Sequence, residues 1–427
     1  MLASDKGGSA TRLRNSGSSS VPLRAPQAPK TRRDRRPNLQ VVPPQPIERG
    51  GVSPKIAAFL AREQPQTPCL VVDLDLVERN YIDLSEGLSP ARIYYAVKAN
   101  PEPSILRKLL RRGSNFDVAS RGEIDICMGV GIPAERLSFG NTIKKQSDIA
   151  YAYAKGVRLF AFDSAEELDK LAEAAPGAQV FCRVLVSCDG AEWPLSRKFG
   201  CSPAMAADLL LAARERGLEP IGVSFHVGSQ QTDLAQWDVV LAQVASLFRT
   251  VAERGLNLRL VNLGGGMPSR YRTEVPDVRA YGQAVIEAVR RAFPDQMPDL
   301  IVEPGRGMVG DAGVIEAEVV LVSTKDASDD KRWVYLDIGK FGGLAETLDE
   351  SIKYRIETEH DGSETVPVIL AGPTCDSADI LYEKTHYELP KALRAGDKVR
   401  ILACGAYTTT YCAVAFNGFP PLRAYCI

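Results

Sequence analysis

Lys98 is the residue of this sequence whose type and position point most directly to chemistry. It ends the run Ile93-Tyr94-Tyr95-Ala96-Val97-Lys98, and an apolar, aromatic run of this kind predicts a buried strand. Pro101 requires the chain to leave the strand soon afterwards. Burying an amine at a strand end is costly unless the amine has a partner or a function, although a lone lysine there more often extends to solvent. Burial also lowers the pKa of an amine, which frees it to form a Schiff base.

Polar or glycine-rich segments follow most of the other predicted strands at equivalent positions. They are Asp117, Asn141, Arg183, His226-Val227-Gly228-Ser229, Gly264-Gly265-Gly266 and Glu303-Pro304-Gly305-Arg306. Three successive glycines let backbone N–H groups approach an anion closely, and Ser229 and Arg306 can add donors. A buried carboxylate such as Glu303 needs a cation, and a protonated pyridine nitrogen is one. A Schiff-base lysine, a pyridinium partner and a phosphate cradle are the requirements of pyridoxal phosphate. In this setting the flat ring of His226 is predicted to stack on the cofactor.

A regular alternation of strands and helices is predicted to position these residues. The predicted strands cover residues 94–99, 116–119, 137–140, 159–163, 180–186, 222–227, 260–263 and 300–303. A helix is predicted after each strand but the last, with glycines at 113, 156, 217 and 255 where helix C-caps belong. Eight such units predict an α/β fold, a (β/α)8 TIM-like barrel whose active site lies at the C-terminal ends of its strands. A doubly wound open sheet is the alternative, but it would usually place its ligand loop at one switch point.

The character of the sequence changes on both sides of the predicted barrel, which covers residues 67–310. Residues 1–47 are rich in arginine, serine and proline and predict a disordered basic tail. Residues 311–427 predict a β-rich domain with strands at 314–322, 333–338, 366–370 and 398–402 and a short helix near 347–352. The early strand at 68–72 is expected to join this second domain. Asp73 or Asp75 can cap the helix that follows that strand.

Composition excludes several classes of function. The chain has 427 residues, 45% of them hydrophobic and 25% charged, as in soluble globular proteins. A net charge of −1 argues against nucleic acid as the main partner, and no apolar run has the length of about 18 residues that a membrane span needs. Nine cysteines without metal-type spacing and only three histidines argue against a metal site. With no signal peptide, the expected location is the cytoplasm.

Seven motifs together resemble those of the pyridoxal-phosphate-dependent basic amino acid decarboxylases with the alanine-racemase-type fold, in particular the ornithine decarboxylase branch. They are YYAVKANP (94–101), FDVASRGEI (116–124), SFHVGS (224–229), GGG (264–266), EPGR (303–306), GPTCDSAD (372–379) and FNGF (416–419). The resemblance covers residues 67–427, and the motifs are specific when taken jointly. It implies a barrel followed by a β-rich domain, with pyridoxal 5'-phosphate as the cofactor.

The resemblance also implies a role for each matched residue of the cofactor site. Lys98 would hold the cofactor as a Schiff base, Glu303 would pair with the pyridine nitrogen, and His226 would stack on the ring. The residues implied to bind the phosphate are Ser229, Gly264, Gly265, Gly266, Arg306 and Tyr407. Asp117 and Arg183 match polar residues near the Schiff base and the ring. The resemblance therefore assigns a cofactor role to a residue at nearly every strand end.

Further residues are implied to act on the substrate. Cys375 and Asp376 match a pair that enters the site from the partner subunit of a head-to-tail homodimer. Cys375 would return a proton to the substrate, and Asp376 would bind its terminal ammonium together with a second acid, either Asp349 or Glu350. The implied reaction is decarboxylation of L-ornithine to putrescine in polyamine biosynthesis. Because lysine differs from ornithine by one methylene, worth about 1–3 kcal/mol, conversion of lysine to cadaverine stays open.

Other members of the fold are alternatives. Diaminopimelate decarboxylases usually have glutamate where this chain has Asp376, and an arginine decarboxylase is a further possibility. A non-catalytic regulator of the antizyme-inhibitor type would have lost cofactor or substrate residues, which this chain keeps. An amino acid racemase would carry a catalytic tyrosine in place of the motif around Cys375.

Overall fold

In the computed structural model of this chain, residues 51–186, 198–414 and 416–427 are described in full, and residues 191–193 by their backbone. The predicted tail, residues 1–47, lies outside the described residues. The strands are β1 Cys69–Val72, β2 Arg92–Ala96, β3 Asn115–Val118, β4 Leu137–Phe139, β5 Leu159–Phe162, β6 Gln179–Arg183, β7 Ala191–Trp193, β8 Glu219–Ser224, β9 Ser229–Gln231, β10 Leu260–Asn262, β11 Asp299–Val302, β12 Gly313–Ser323, β13 Arg332–Leu336, β14 Ile356–Thr358, β15 Thr365–Ala371, β16 Ile380–Pro390, β17 Lys398–Leu402 and β18 Arg423–Cys426. The helices are α1 Pro54–Glu63, α2 Leu74–Gly87, α3 Pro103–Arg111, α4 Arg121–Gly129, α5 Gln146–Ala154, α6 Ala165–Ala174, α7 Pro203–Glu215, α8 Ala235–Glu253, α9 Val278–Ala292 and α10 Arg306–Val309.

Eight parallel strands close into a barrel in the order β2-β3-β4-β5-β6-β8-β10-β11, with β11 pairing back to β2. This confirms the predicted (β/α)8 fold. A separate buried cluster contributed by six of the strands fills the barrel interior; its members are Tyr94, Ala161, Phe181, Ile221, Leu260 and Ile301. The four glycines predicted to end helices all have positive φ, as C-cap glycines do. The buried cluster makes the barrel interior a packed core, so only the barrel mouth can hold a ligand.

The barrel strands end one to three residues earlier than predicted, which is a correction to the sequence analysis. Strand β2 ends at Ala96, and Lys98 lies in a 3-10 turn over Val97–Ala99. Ala96 is the last residue to pair within the sheet, with Asp117 of β3, and its N–H donates to the Pro304 carbonyl. Beyond it, Val97–Ala99 turn out of the ladder, although β3 continues to Val118. The candidate site residues consequently lie at the strand ends and on the turns that follow them.

The second sheet has the order β14-β17-β12-β13-β15-β16. Strand β1 pairs antiparallel with β12 and parallel with β18, so the first of the described strands belongs to this sheet. The sequence analysis missed helix α1 and the strands β14, β16 and β18. The predicted helix at 347–352 is wrong: Ala345–Glu350 is a 3-10 stretch broken at Leu348, where ψ is 133°, and at Asp349, where φ is 51°. None of the described helices is long and apolar enough to cross a membrane.

Candidate active site

Lys98 and Asp117 lie side by side at the barrel mouth, where β2 and β3 end next to each other. Lys98 Nζ lies 4.0 Å from Asp117 Oδ2, and the Lys98 side chain is 50% exposed while that of Asp117 is 3% exposed. Burial lowers the pKa of Lys98, but electrostatic interactions with Asp117, Tyr407 and Glu303 outweigh it, so the pKa is raised above its ordinary value. The sequence-based expectation of a lowered pKa was wrong because it counted burial without these neighbours. Solvent entering through the mouth weakens the effect of burial further.

Asp117 is the most deeply buried acid of this group. Burial raises the pKa of its carboxyl well above the ordinary value, the charge of Glu303 adds to this, and Lys98 opposes it. Its Oδ1 atom has no hydrogen-bond partner among the described residues. A buried oxygen without a partner is costly. Oδ1 lies against Gly140, where a Cβ atom would be 2.1 Å from it, whereas Oδ2 faces Lys98.

His226 is held as a neutral ring. Its Nδ1 atom accepts a hydrogen bond from the Gly228 N–H at 2.9 Å, which places the proton of the neutral imidazole on Nε2. Burial lowers the pKa of His226 to about 3, and the positive charges of Arg183 and Lys98 contribute. Arg183 ends β6, and its guanidinium carbon lies 5.2 Å from the centre of the Phe199 ring. His226 therefore presents a flat, uncharged ring to the mouth throughout the neutral pH range.

The three glycines lie where strand ends meet so closely that side chains would not fit. A Cβ atom on Gly264 would lie 2.2 Å from the Phe225 carbonyl oxygen, and one on Gly266 would lie 2.4 Å from that of Gly228. Both residues have positive φ. A Cβ atom on Gly265 would stand 3.4 Å from His226 Nε2. The triplet thus keeps the backbone close to His226 and leaves the adjoining space open.

Arg306 is buried in a network that the sequence analysis missed. Its guanidinium makes a bidentate ion pair with Glu346, at 2.5 and 2.8 Å, and donates to Tyr271 Oη at 2.6 Å and to Ser229 Oγ at 3.2 Å. Both Arg306 and Glu346 are almost fully buried. Pairing with Glu346 neutralises much of the Arg306 charge. Arg306 therefore contributes to an anion site in two ways, by holding Ser229 in place and by its remaining positive charge. A buried arginine requires an acid, but the sequence alone does not say which one.

Tyr407 connects the second sheet to the barrel mouth. Its N–H donates to the Ala99 carbonyl at 2.8 Å, and its ring lies over the guanidinium of Arg306, 5.0 Å from ring centre to Cζ. Tyr407 has φ of 59°, an uncommon value for a residue with a side chain. The turn that carries Lys98 is thereby held directly by the segment that carries Tyr407.

Glu303 follows β11 and is positioned by Asn262, a second residue that the sequence analysis missed. Asn262 Nδ2 donates to Glu303 Oε1 at 2.5 Å, and the Asn262 side chain is fully buried. The same amide accepts the Gly264 N–H through Oδ1 at 2.9 Å. Its position two residues before the glycine triplet was the only sequence signal, and type alone does not distinguish it from a core asparagine.

Cys375 and Asp376 lie apart from this cluster, on the exposed loop after β15. The Cys375 N–H and Sγ both contact Asn417 Oδ1, at 3.3 and 3.6 Å. Asp379 supports the loop by accepting from the Thr374 hydroxyl at 2.7 Å and from the Lys340 N–H at 2.8 Å. The described contacts of Cys375 and Asp376 thus tie them to the second domain rather than to Lys98.

The structure separates the two candidates for the second substrate acid. Glu350 Oε1 accepts the N–H groups of Glu383 and Lys384, and Oε2 accepts the N–H and hydroxyl of Thr385, all at 2.6–2.9 Å. Burial alone would raise its pKa, but these hydrogen bonds lower it to about 2. Asp349 is exposed. Glu350 is therefore engaged by β16, whereas the Asp349 carboxylate faces solvent.

Replacement of Glu350 by glutamine is expected to reduce the free energy of unfolding by roughly 2–3 kcal/mol, because an amide nitrogen would face N–H donors that the carboxylate now accepts. Asp349→Asn, which suits the positive φ at that position, is the matched control and should change stability by less than about 0.5 kcal/mol. Since the folded pKa of Glu350 is lowered, its contribution is present above the unfolded value near 4 and is lost as the pH falls toward 2. Urea denaturation at pH 7 and pH 3 measures both effects, and equal stability of the two variants would contradict the assignment.

Comparison with known proteins identifies the family. Residues 74–310 match the family model described as pyridoxal-dependent decarboxylase, pyridoxal binding domain. The chain is 36% identical to a lysine/ornithine decarboxylase of Selenomonas ruminantium over 86% of this chain and 91% of the relative. It is 32% identical to an ornithine decarboxylase of Caenorhabditis elegans over 88% and 91% of the two chains. The chain belongs to the pyridoxal-dependent decarboxylases.

A solved structure of the family supports the same fold. The lysine/ornithine decarboxylase of Vibrio vulnificus complexed with cadaverine superposes with a TM-score of 0.79 and is 31% identical, covering 88% of this chain and 100% of that one. As a pyridoxal-dependent decarboxylase of basic amino acids, this chain is a carboxy-lyase. The predicted fold, family and cofactor are confirmed.

The residues at the mouth of this decarboxylase fit pyridoxal phosphate. Lys98 supplies an accessible primary amine for the aldehyde, and Glu303 supplies a carboxylate for the ring nitrogen. The cradle is closed by Gly305, where a Cβ atom would lie 2.9 Å from Ala99 Cβ and 3.1 Å from Tyr407 Oη. Asp117 Oδ2 adds an acceptor 4.0 Å from Lys98 Nζ. The space that a Cβ atom would fill is thus kept open between the amine and the anion-binding residues.

Proposed function

We propose that this decarboxylase converts L-ornithine to putrescine and carbon dioxide, a step of polyamine biosynthesis, and converts L-lysine to cadaverine less efficiently. The observation that carries the proposal is the pair of exposed carboxylates, Asp376 and Asp349, with Glu350 engaged elsewhere. Two carboxylates suit a terminal ammonium group. The names of the relatives, ornithine decarboxylase and lysine/ornithine decarboxylase, support the same substrates.

The proposed roles at the cofactor follow the geometry of the mouth. Pyridoxal phosphate, when bound, supplies an aldehyde that binds amines covalently and a protonated ring that withdraws electrons from the substrate α-carbon. Lys98 provides the covalent attachment, Glu303 the counter-charge for the ring nitrogen, and His226 the stacking surface. The residues proposed to bind the phosphate are Ser229, Gly264, Gly265, Gly266, Arg306 and Tyr407. Asp117 and Arg183 are proposed to line the site next to Lys98.

The charge state of each side chain suits its proposed role. Because His226 is neutral, it can lie against a cationic ring without repulsion. Because Lys98 is protonated and lies 4.0 Å from Asp117, Asp117 is placed to take that proton so that the neutral amine can bond to the aldehyde, and to return it when the amine is released. After carbon dioxide leaves, the α-carbon needs a proton, and Cys375 Sγ is the proposed donor. Asp349 and Asp376 are proposed to hold the distal ammonium of the substrate.

We further propose a homodimer in which Cys375 and Asp376 complete the site of the other subunit. Both residues are exposed and their described contacts lie in the second domain. Large apolar side chains are also exposed in the neighbouring segments; they are Leu348, Tyr411, Val414 and Phe419. Exposed apolar groups beside two polar residues of proposed catalytic function are typical of a surface that a second subunit covers.

Product analysis with ornithine, lysine, arginine and diaminopimelate tests the substrate assignment. We expect kcat/KM for ornithine to exceed that for lysine by about 10- to 200-fold, the usual value of one methylene in a tight pocket, with little turnover of the other two. Asp349→Asn should raise KM for ornithine more than tenfold, because one charge-assisted interaction is lost. Glu350→Gln, assayed under conditions where the variant is folded, should have the same KM for ornithine as the wild type. Preferred turnover of arginine or diaminopimelate would contradict the proposal.

A further inference from the structure

Asn262, Gly264 and Glu303 form a closed circuit of hydrogen bonds at the barrel mouth. Asn262 Nδ2 donates to Glu303 Oε1 at 2.5 Å, the Glu303 N–H donates to the Gly264 carbonyl at 2.7 Å, and the Gly264 N–H donates to Asn262 Oδ1 at 2.9 Å. The circuit joins the first glycine of the anion cradle to the carboxylate proposed for the ring nitrogen. The two ends of the cofactor site are thus fixed to each other through one buried amide.

The amide leaves one oxygen of Glu303 for a ligand. Oε1 is occupied by Asn262, whereas Oε2 receives no hydrogen bond from the residues that the structure describes. Asn262 itself is fully buried and uses both ends of its side chain within the circuit. Rotation of Glu303 would break the bond to Oε1 and leave the Asn262 amide unpaired in the interior, which is costly.

We propose that Asn262 is a positioning residue that fixes the orientation of the Glu303 carboxylate as the partner of the pyridine nitrogen. An amide is suited to this because it donates a hydrogen bond without adding a charge. A carboxylate at position 262 would approach Glu303 as a like charge, and one of the two groups would have to bind a proton. A cation there would neutralise Glu303 and weaken its pairing with the ring.

The inference rests on the proposed role of Glu303, and the experiment separates the two. Affinity is measured for pyridoxal phosphate and for its 1-deaza analogue, in which carbon replaces the ring nitrogen, using the apo forms of wild type, Asn262→Asp, Asn262→Leu and Glu303→Gln. If Glu303 pairs with the ring nitrogen, Glu303→Gln should lower the affinity for pyridoxal phosphate about tenfold or more. The affinity for the analogue should change little. Both Asn262 variants should show the same selective loss.

A second readout needs no cofactor. In Asn262→Asp, the introduced carboxyl lies against Glu303, so the folded chain binds a proton that the unfolded chain releases near pH 4. A group whose proton is held more tightly in the folded state loses stability as the pH rises. The stability of this variant relative to wild type should therefore fall between pH 4 and pH 7. Adding Glu303→Gln should remove that pH dependence, because the amide of the glutamine can then donate to the new carboxylate.

The outcomes distinguish the alternatives. In one outcome, Glu303→Gln lowers the affinity for pyridoxal phosphate alone while the Asn262 variants lower the affinity for both ligands equally or for neither. Asn262 is then merely structural, and the inference is overturned while the role of Glu303 stands. If Glu303→Gln weakens both ligands equally, the role of Glu303 and the inference fail together. Absence of pH-dependent destabilisation in Asn262→Asp would also overturn the inference, because it would show that the two side chains do not meet. Selective loss with pH-dependent destabilisation supports it.

Discussion

Lys98→Ala is expected to lose decarboxylase activity by about a thousandfold or more, the scale found when an enzyme loses the residue that bonds covalently to the reacting group. The loss should not come from unfolding. The Lys98 backbone is held independently of its side chain, since the Lys98 carbonyl accepts from Thr410 Oγ1 at 2.9 Å and the neighbouring Ala99 carbonyl accepts from the Tyr407 N–H. The side chain itself is half exposed, so truncation should change the free energy of unfolding by less than about 1 kcal/mol.

Borohydride reduction of the wild-type holoenzyme followed by peptide mapping identifies the attachment site directly, and we expect the label on Lys98. Lys340→Ala is the matched control, because the contact that its loop makes with Asp379 uses the Lys340 backbone N–H and not the amine. That variant should keep its label and most of its activity. Lys144 is buried against Glu167 at 2.9 Å, which makes it the second lysine to examine. A label on Lys340 or Lys144 would show that the assignment of Lys98 is wrong.

The part of the site that was predictable from sequence is the part where residue type and position in the strand both carry information. Lys98 and Glu303 stood out because a charged residue at the end of an apolar strand needs a reason, and the glycine triplet because three glycines rarely serve one turn. The exact strand ends were not predictable, since β2 ends at Ala96, where a 3-10 turn begins, and not where its own apolar run ends. Lys98 was therefore predicted to lie in a strand, whereas it lies in a turn.

Residues that act through another side chain were not predictable. Glu346 and Asn262 are common residue types that give no signal of their own in the sequence. Their partners lie far from them along the chain: Arg306 pairs with Glu346, and Glu303 pairs with Asn262. The choice between Asp349 and Glu350 also depended on three-dimensional information. The proposed choice of Asp349 is based on the N–H groups of β16 that engage Glu350; β16 is an eleven-residue strand whose charged residues concealed its apolar alternation. Because the sequence analysis missed β16, it had no basis for choosing between Asp349 and Glu350.

Mixed dimers of Lys98→Ala and Cys375→Ala are expected to recover activity that neither variant has alone. Each homodimer lacks one required group in both sites and should be nearly inactive. If Cys375 serves the site of the other subunit, a mixed dimer has one site with intact Lys98 and Cys375 and another that lacks both. Random exchange makes half of the dimers mixed, so about a quarter of the wild-type activity should return. The exposure of Cys375 and its contact with Asn417, away from Lys98, favour this arrangement.

The control for this experiment is the double variant that carries both substitutions in one chain. Mixed with wild type, it forms dimers in which one site combines intact Lys98 with alanine at 375 and the other combines alanine at 98 with intact Cys375. Such dimers should be nearly inactive under the shared-site arrangement but should keep one working site if each subunit uses its own cysteine. The two mixtures therefore give opposite results under the two arrangements. Subunit exchange is shown first by size exclusion with subunits of different mass, and given exchange, an inactive mixture of the single variants would rule out the shared site.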